Sequence, residues 1–172
     1  MHIKEVKSKG AYQLAAQLFQ EYAKEIGIDL EFQNFQEELS DLQKQYSRPE
    51  GAIFIAYDAN QMALGCVAIR KLEDSVCELK RMYVRKEFQG IGLGTQLLQK
   101  CIETATILGY SKMRLDTLAS MHSAIHVYTK AGFYEIQSYR FNPFDEAKYY
   151  ELELTLPNET PLHQAKIRDK RF

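Results

Sequence analysis

The sequence predicts an α/β fold: a mixed, mostly antiparallel sheet of about seven strands flanked by four helices, in the order β α α β β β α β α β β. Three observations carry that prediction. Short β-rich runs such as "GAIFIAY", "VCELKRMYV" and "KMRLDTL" are bounded by turn formers. Other stretches repeat apolar residues at helical spacing. A strand, helix, strand unit around residues 78 to 117 implies one parallel pair with a right-handed crossover inside an otherwise antiparallel sheet.

The elements follow in order. "HIKEVK" alternates at period two and suits a first strand. From Ser8 or Gly10 to Gly27, residues Leu14, Leu18, Phe19, Tyr22 and Ile26 form one helical face, and Gly27 is a stop. "NFQEELSDLQKQY" repeats the pattern through Phe35, Leu39, Leu42 and Tyr46 and ends before the Arg48-Pro49 step. "GAIFIAY" and "MALGCVAIRKL" flank the turn-forming "DANQ" and pair as a hairpin; "VCELKRMYV" follows after "EDS". Leu93, Leu97, Leu98, Cys101, Ile102 and Ala105 mark the next helix, which Gly109 ends. "KMRLDTL" is a strand, "SMHSAIHVYTKAG" a short helix, and "FYEIQSYRF" with "KYYELELTL" a terminal hairpin. Residues 1–156 make one domain, and 157–172, polar and without periodicity, a C-terminal tail.

At 172 residues the chain can bury a proper core. A formal net charge of -1 argues against a nucleic-acid or membrane surface, since either partner favours a basic excess. No run approaches the ~20 apolar residues of a bilayer span. The N-terminus has no secretory pattern, and Cys66, Cys77 and Cys101 read as free thiols of a reducing compartment. The expected location is cytoplasmic.

The stretch "RKEFQGIGLGTQLLQKC" places three glycines in five positions before a helix. Backbone N–H groups at such a turn converge on one point, where the helix N-terminus adds about half a positive charge, so phosphate fits there. A P-loop needs Lys and Ser/Thr after its last glycine, but Gly94 is followed by Thr95-Gln96. A dinucleotide fingerprint would use Asp116 as its ribose acid, yet Thr95 stands where its third glycine belongs and "RKEFQ" separates strand from turn. Both nucleotide readings fail on spacing.

"ELKRMYVRKEFQGIGLGTQLLQ" resembles the acetyl-CoA-binding core of the GNAT superfamily of N-acetyltransferases, through Gln89, Gly92 and Gly94. Downstream, "VYTKAGFYEI" is similar to the same family's Y-x-K-x-G-F segment. The resemblance covers nearly the whole chain except the tail and implies a GNAT-like fold. It implies that the turn Gln89, Gly90, Ile91, Gly92, Leu93, Gly94 and Thr95 binds the pyrophosphate of acetyl-CoA, with pantetheine along Met82, Tyr83 and Val84. Lys80, Arg81, Arg85, Lys86 and Lys100 make the region basic toward a polyanion. One departure is Met121, at a position where the family commonly has asparagine.

Acetyl transfer to an amine needs a proton acceptor for the nitrogen, a polarised carbonyl and a proton for the departing thiolate. The resemblance makes Glu78 the candidate base and Tyr128 the candidate acid. A phenol near pKa ~10 hands its proton to a thiolate near ~8.5 across only about 1.5 units. The strand amide near Met82 polarises the thioester carbonyl, again by resemblance. His122 and His126 stand i, i+4, but neither an intervening HExxH glutamate nor a third ligand accompanies them, so no metal is expected. Cys101 reads as core.

The expected activity is therefore transfer of acetyl from acetyl-CoA to a primary amine of a small molecule or peptide by direct attack. A non-catalytic CoA-binding module and a protein-directed acetyltransferase stand beside it. Glu21, Glu25, Asp29, Glu31, Glu37, Glu38 and Asp41 make the two-helix region acidic, which would steer a cationic acceptor. Dimerisation is an expectation of the resemblance alone.

Overall fold

The computed structural model describes residues 1–155; the expected tail, 157–172, lies outside them. Seven strands form one sheet in the order β1-β2-β3-β4-β5-β7-β6. They are β1 (His2–Glu5), β2 (Ala52–Tyr57), β3 (Ala63–Glu73), β4 (Val76–Val84), β5 (Lys112–Leu118), β6 (Tyr134–Ile136) and β7 (Ala147–Glu153). The β4–β5 pair is parallel and all the others are antiparallel. The last two strands do pair with each other, but β7 inserts between β5 and β6.

Helices cover both faces. On one lie α1 (Lys9–Ile26), α2 (Phe35–Ser40) and α3 (Leu42–Tyr46), with Leu18, Phe19, Phe35 and Tyr46 packed on Ile53, Ile55 and Cys66. On the other lie α4 (Leu93–Ile107) and α5 (His122–Lys130), whose Leu93, Leu97, Leu98, Cys101 and Tyr128 meet Phe54, Val67, Leu79 and Leu115. Alternate residues of β2 serve opposite layers, as period two requires. Ser8 caps α1 through Ala11 N, and Gly27 closes it at φ 68°.

Two expectations change. The second helix, expected continuous, breaks into α2 and α3, preceded by a 3-10 turn at Glu31–Gln33. Asp41 leaves helical geometry at φ −148° and caps α3 through Lys44 N, so its side chain competes successfully with the helix backbone. The strand expected over "FYEIQSYRF" stops at Ile136. Residues 137–146 instead form a loop that carries Tyr139, Arg140 and Asn142 back onto β4 and β5.

Candidate active site

Strands β4 and β5 pair only at Val76–Glu78 with Lys112–Arg114. Beyond Glu78 the ladder stops, so the β4 edge through Val84 faces a widening slot where backbone groups seek partners from outside the sheet. A bulge shapes that edge. Cys66 faces Tyr83 and Ala68 faces Lys80, so two steps of β3 oppose three of β4, and Arg81 takes the extra place at φ 55°. The bulge breaks the alternation of side chains: Lys80 and Arg81, consecutive in sequence, both reach the Gln33 carboxamide at 2.8 and 3.0 Å. It also sends Tyr83 toward α1, where its hydroxyl donates to Glu25, and Met82 and Val84 into the opposite layer.

At the mouth of the slot lies a groove of ≈ 740 Å³ lined by Met82, Tyr83, Val84, Gln89, Gly90, Gly92, Leu93, Gly94 and Thr95, with the start of α5 opposite. Gly90 and Gly92 hold φ of 79° and 82°, a region that side chains resist. Gly92 is the N-cap of α4 and has no side-chain oxygen, so no cap bond is made to the first amides of that helix. A Cβ on Gly94 would meet nothing within 4 Å. Free amides, a helix N-terminus and open space together fit the pyrophosphate of a CoA thioester. Ile91 projects outward, 54% exposed, and adds only backbone to the turn. Gln89 braces it by donating to Val84 O at 2.8 Å.

A second, smaller cavity shares Tyr22, Ile26 and Met121 with the groove and is otherwise lined by Phe32, Gln33, Lys80, Arg81, Asp116, Asn142 and Phe144 among others. Its wall is a charge network. The Arg81 guanidinium donates to Glu38 through Nε at 3.0 Å and Nη2 at 2.5 Å, and the Tyr46 hydroxyl adds a third bond to that carboxylate. Asp116 accepts from Gln33 Nε2 at 3.2 Å, from Asn142 Nδ2 at 3.3 Å, and from Arg140. Burial pushes the Lys80 ammonium down to about 7, only partly opposed by Glu78.

Glu78, the expected base, is fully buried where the two strands part. Both of its oxygens are occupied: Oε1 by the Tyr139 hydroxyl at 2.9 Å and Arg140 Nη1 at 2.8 Å, Oε2 by Arg70 at 3.1 and 3.2 Å. Lys80 Nζ stands 3.9 Å away. Burial alone would raise its pKa, but Lys80, Arg140, Arg70 and the Tyr139 hydroxyl together hold it below the carboxylate range. Such a carboxylate organises cations better than it accepts protons.

Tyr128, the expected acid, packs beside Phe133 at 5.8 Å between ring centroids. Burial first, then the charges of Tyr22 and Asp116, push its hydroxyl far above an ordinary phenol. The proton gap to a thiolate is thus wider than the ~1.5 units between free groups, and Tyr128 itself lines neither the groove nor the cavity, its neighbour Val127 lining the groove. Met121 lines both spaces, where the Thr117 hydroxyl approaches its sulfur at 3.5 Å. His122 and His126 line the groove, and among the described residues no His, Cys, Asp or Glu cluster of metal-binding type occurs.

The charge expectations need correction. Lys80 and Arg81 turn away from the groove into the cavity, and Arg85 is held by Glu21 at 2.7 and 2.8 Å. The acidic rim is partly engaged: Glu21 and Glu38 hold arginines, Asp29 and Glu31 accept backbone N–H groups, and Asp41 caps a helix. Gln33, Arg140 and Asn142 had no local motif to announce them; the 3-10 turn after α1 brings Gln33 to β4 and β5, and the loop before β7 brings Arg140 and Asn142.

The site is thus framed by a parallel pair that parts beside a glycine-headed helix, with a polar cavity sharing a wall with the groove. Residues 12–133 match the family model described as "Acetyltransferase (GNAT) family". The chain is 40% identical over 139 residues, 80% of its length and 85% of the relative's, to an uncharacterized N-acetyltransferase of Schizosaccharomyces pombe. It is 33% identical to the N-acetylaspartate synthetase of Homo sapiens over 97 residues, 56% of this chain and 32% of that protein. A GNAT-family acetyltransferase structure from Staphylococcus aureus superposes with a TM-score of 0.73 at 23% identity, covering 90% of this chain and 100% of that one. The chain belongs to the GNAT family and is an acetyl-CoA-dependent N-acetyltransferase.

Proposed function

We propose that the protein transfers the acetyl group of acetyl-CoA to the primary amine of a small molecule by direct attack, both substrates being bound together. The observation that carries this is the shared wall: Tyr22, Ile26 and Met121 line both the groove and the cavity, so a donor and an acceptor can meet there. Acetyl-CoA supplies the activated acetyl carbon. The turn from Gln89 to Thr95 holds its pyrophosphate, the Met82–Val84 edge pairs with its pantetheine arm, and a β4 amide near Met82 polarises the carbonyl.

The acceptor enters the cavity as an ammonium ion and meets Asp116, the cavity-lining carboxylate whose Oδ1 accepts, among the described residues, from Arg140 alone. In this reading the base role passes from Glu78 to Asp116, because the four bonds to Glu78 occupy both of its oxygens. The ammonium proton goes to Asp116 and on to water. The nitrogen forms its bond to the acetyl carbon, the carbon–sulfur bond breaks, and Tyr128 donates its proton as charge gathers on sulfur. The proton lost by the amine restores the phenol. Thiol release from acetyl-CoA, measured against a panel of amines for wild type and Tyr128→Phe, tests this. Amine-dependent release that Tyr128→Phe cuts sharply is expected; full turnover by Tyr128→Phe removes Tyr128 from the chemistry.

A further inference from the structure

Seven charged side chains form one bonded network around the cavity, and they do not balance. The anions are Glu38, Glu78 and Asp116; the cations are Arg70, Lys80, Arg81 and Arg140. Three cations each have a carboxylate at contact distance: Arg81 has Glu38 at 2.5 Å, Arg70 has Glu78 at 3.1 Å, and Arg140 has Asp116. Lys80 is the cation left over. Its nearest carboxylate is Glu78, at 3.9 Å and already shared between Arg70 and Arg140, and its short bond, 2.8 Å, goes to the neutral oxygen of Gln33. The Lys80 side chain is only 3% exposed, yet it lines the cavity.

An ammonium buried without its own counter-ion is costly, and a ligand that supplies the missing anion relieves that cost. We infer that the acceptor is a small amino carboxylate whose carboxylate seats against Lys80 while its ammonium meets Asp116. The inference rests on the acetyl-transfer reading above and names its substrate class. Gln33 sets the two ends: its Oε1 accepts from Lys80 and its Nε2 donates to Asp116 at 3.2 Å, so one carboxamide separates an anion site from a cation site. A simple alkylammonium would raise the network's excess of one cation to two; a zwitterionic amino carboxylate leaves the excess at one and sets an anion against Lys80. The cavity offers ≈ 40 Å³ of room, on the order of three water positions, which suits a compact carboxylate.

The charges that face Lys80 come from every side: Glu78 and Arg81 on its own strand, Asp116 on β5, and Arg140 on the 137–146 loop. With Lys80 near 7 in the free protein, a bound carboxylate favours its charged form. Binding therefore takes up a proton, and affinity falls as pH rises above about 7.

The test compares α-amino acids with their α-amides and with the corresponding decarboxylated amines, as acceptors for wild type, Lys80→Met and Lys80→Arg. Wild type is expected to favour the amino acid over its amide by about tenfold to a hundredfold in kcat/KM, with KM for the amino acid rising above pH 7. Lys80→Met should erase that preference through KM, and Lys80→Arg should restore part of it. Removing an unmatched buried charge should leave Lys80→Met folded, which thermal melting checks. The inference is overturned by a wild type that prefers the amide or the decarboxylated amine. It is equally overturned if acetyl-CoA binds but no amino acid is acetylated or raises the melting temperature of the acetyl-CoA complex. Failure to bind acetyl-CoA at all would instead sink the acetyl-transfer reading beneath it.

Discussion

Replacing Glu38 with leucine tests the joint between helix α2 and the bulge of β4. Arg81 is 3% exposed in its side chain and Glu38 1%, and two of the three guanidinium nitrogens donate to that carboxylate. Removing one member of a buried pair strands the other charge and costs about 3–5 kcal/mol. The Tyr46 hydroxyl, bonded to the same carboxylate at 2.7 Å, loses its partner as well. For a chain of this size each kcal/mol shifts the melting temperature by roughly 2–4 °C. The expected fall is therefore on the order of 6–20 °C by circular dichroism. Adding Arg81→Met removes the stranded charge and should recover most of the loss, because an apolar pair of similar volume replaces an ion pair at little cost. Burial works to raise the Glu38 pKa, but the bonds and charge of Arg81 outweigh it and hold it low. Its stabilisation is thus present above the ordinary carboxylate range and disappears as pH falls through the lowered folded value, so the acid limb of the stability profile should shrink in Glu38→Leu. The loss should reach function too. Arg81 occupies positive φ at a cost of about 1–3 kcal/mol, and with its anchor gone the bulge can relax, moving Met82–Val84 and weakening acetyl-CoA binding. A single variant that melts with wild type, or a double variant no better than the single, would refute the reasoning.

Three other changes separate the remaining roles. Tyr128→Phe should lower kcat by ~10²–10⁴, the usual worth of a positioned acid, while leaving the acetyl-CoA dissociation constant unchanged in calorimetry. Asp116→Asn should lower kcat; Glu78→Gln should instead depress the melting temperature, since it leaves Arg70 and Arg140 sharing a neutral partner. Gly65→Ala places a Cβ 2.3 Å from the Tyr83 carbonyl oxygen and 3.0 Å from Val84 Cα. That contact must push β4 toward the groove, so KM for acetyl-CoA should rise more than KM for the amine.

The glycine turn proposed to hold the donor was legible because it is local. Gln89 to Thr95 is one turn with left-handed glycines at 90 and 92, and sequence spacing reports such features directly. The strand before it and the helix after it were equally plain, since β4, α4 and β5 are contiguous. The acceptor half escaped because it is assembled from afar. Gln33 meets Lys80 across 47 positions, Tyr139 meets Glu78 across 61, and Arg140 reaches Asp116 across 24. "FYEIQSYRF" has the composition of a strand; it stops at Ile136, and the residues after it are held by bonds to β4 and β5. Composition misled in the same way about the acidic rim, where charges counted as free are committed to arginines, backbone amides and a helix cap.

The bulge at Arg81 joins the two halves. In a regular strand Lys80 and Arg81 would point to opposite layers, and one of them would enter an apolar core. With one extra residue in β4 both turn toward Gln33 and Glu38, while Met82 and Val84 take the opposite layer and their backbone edge is left unpaired by β5. A single irregularity thus builds the cationic wall of the cavity and orients the strand edge on which the proposed reaction places the donor. Its strain is paid by the Glu38 pair, so stability, donor binding and acceptor charge are set at one place. That coupling explains why Glu38, which touches neither substrate in the proposed reaction, should matter to both.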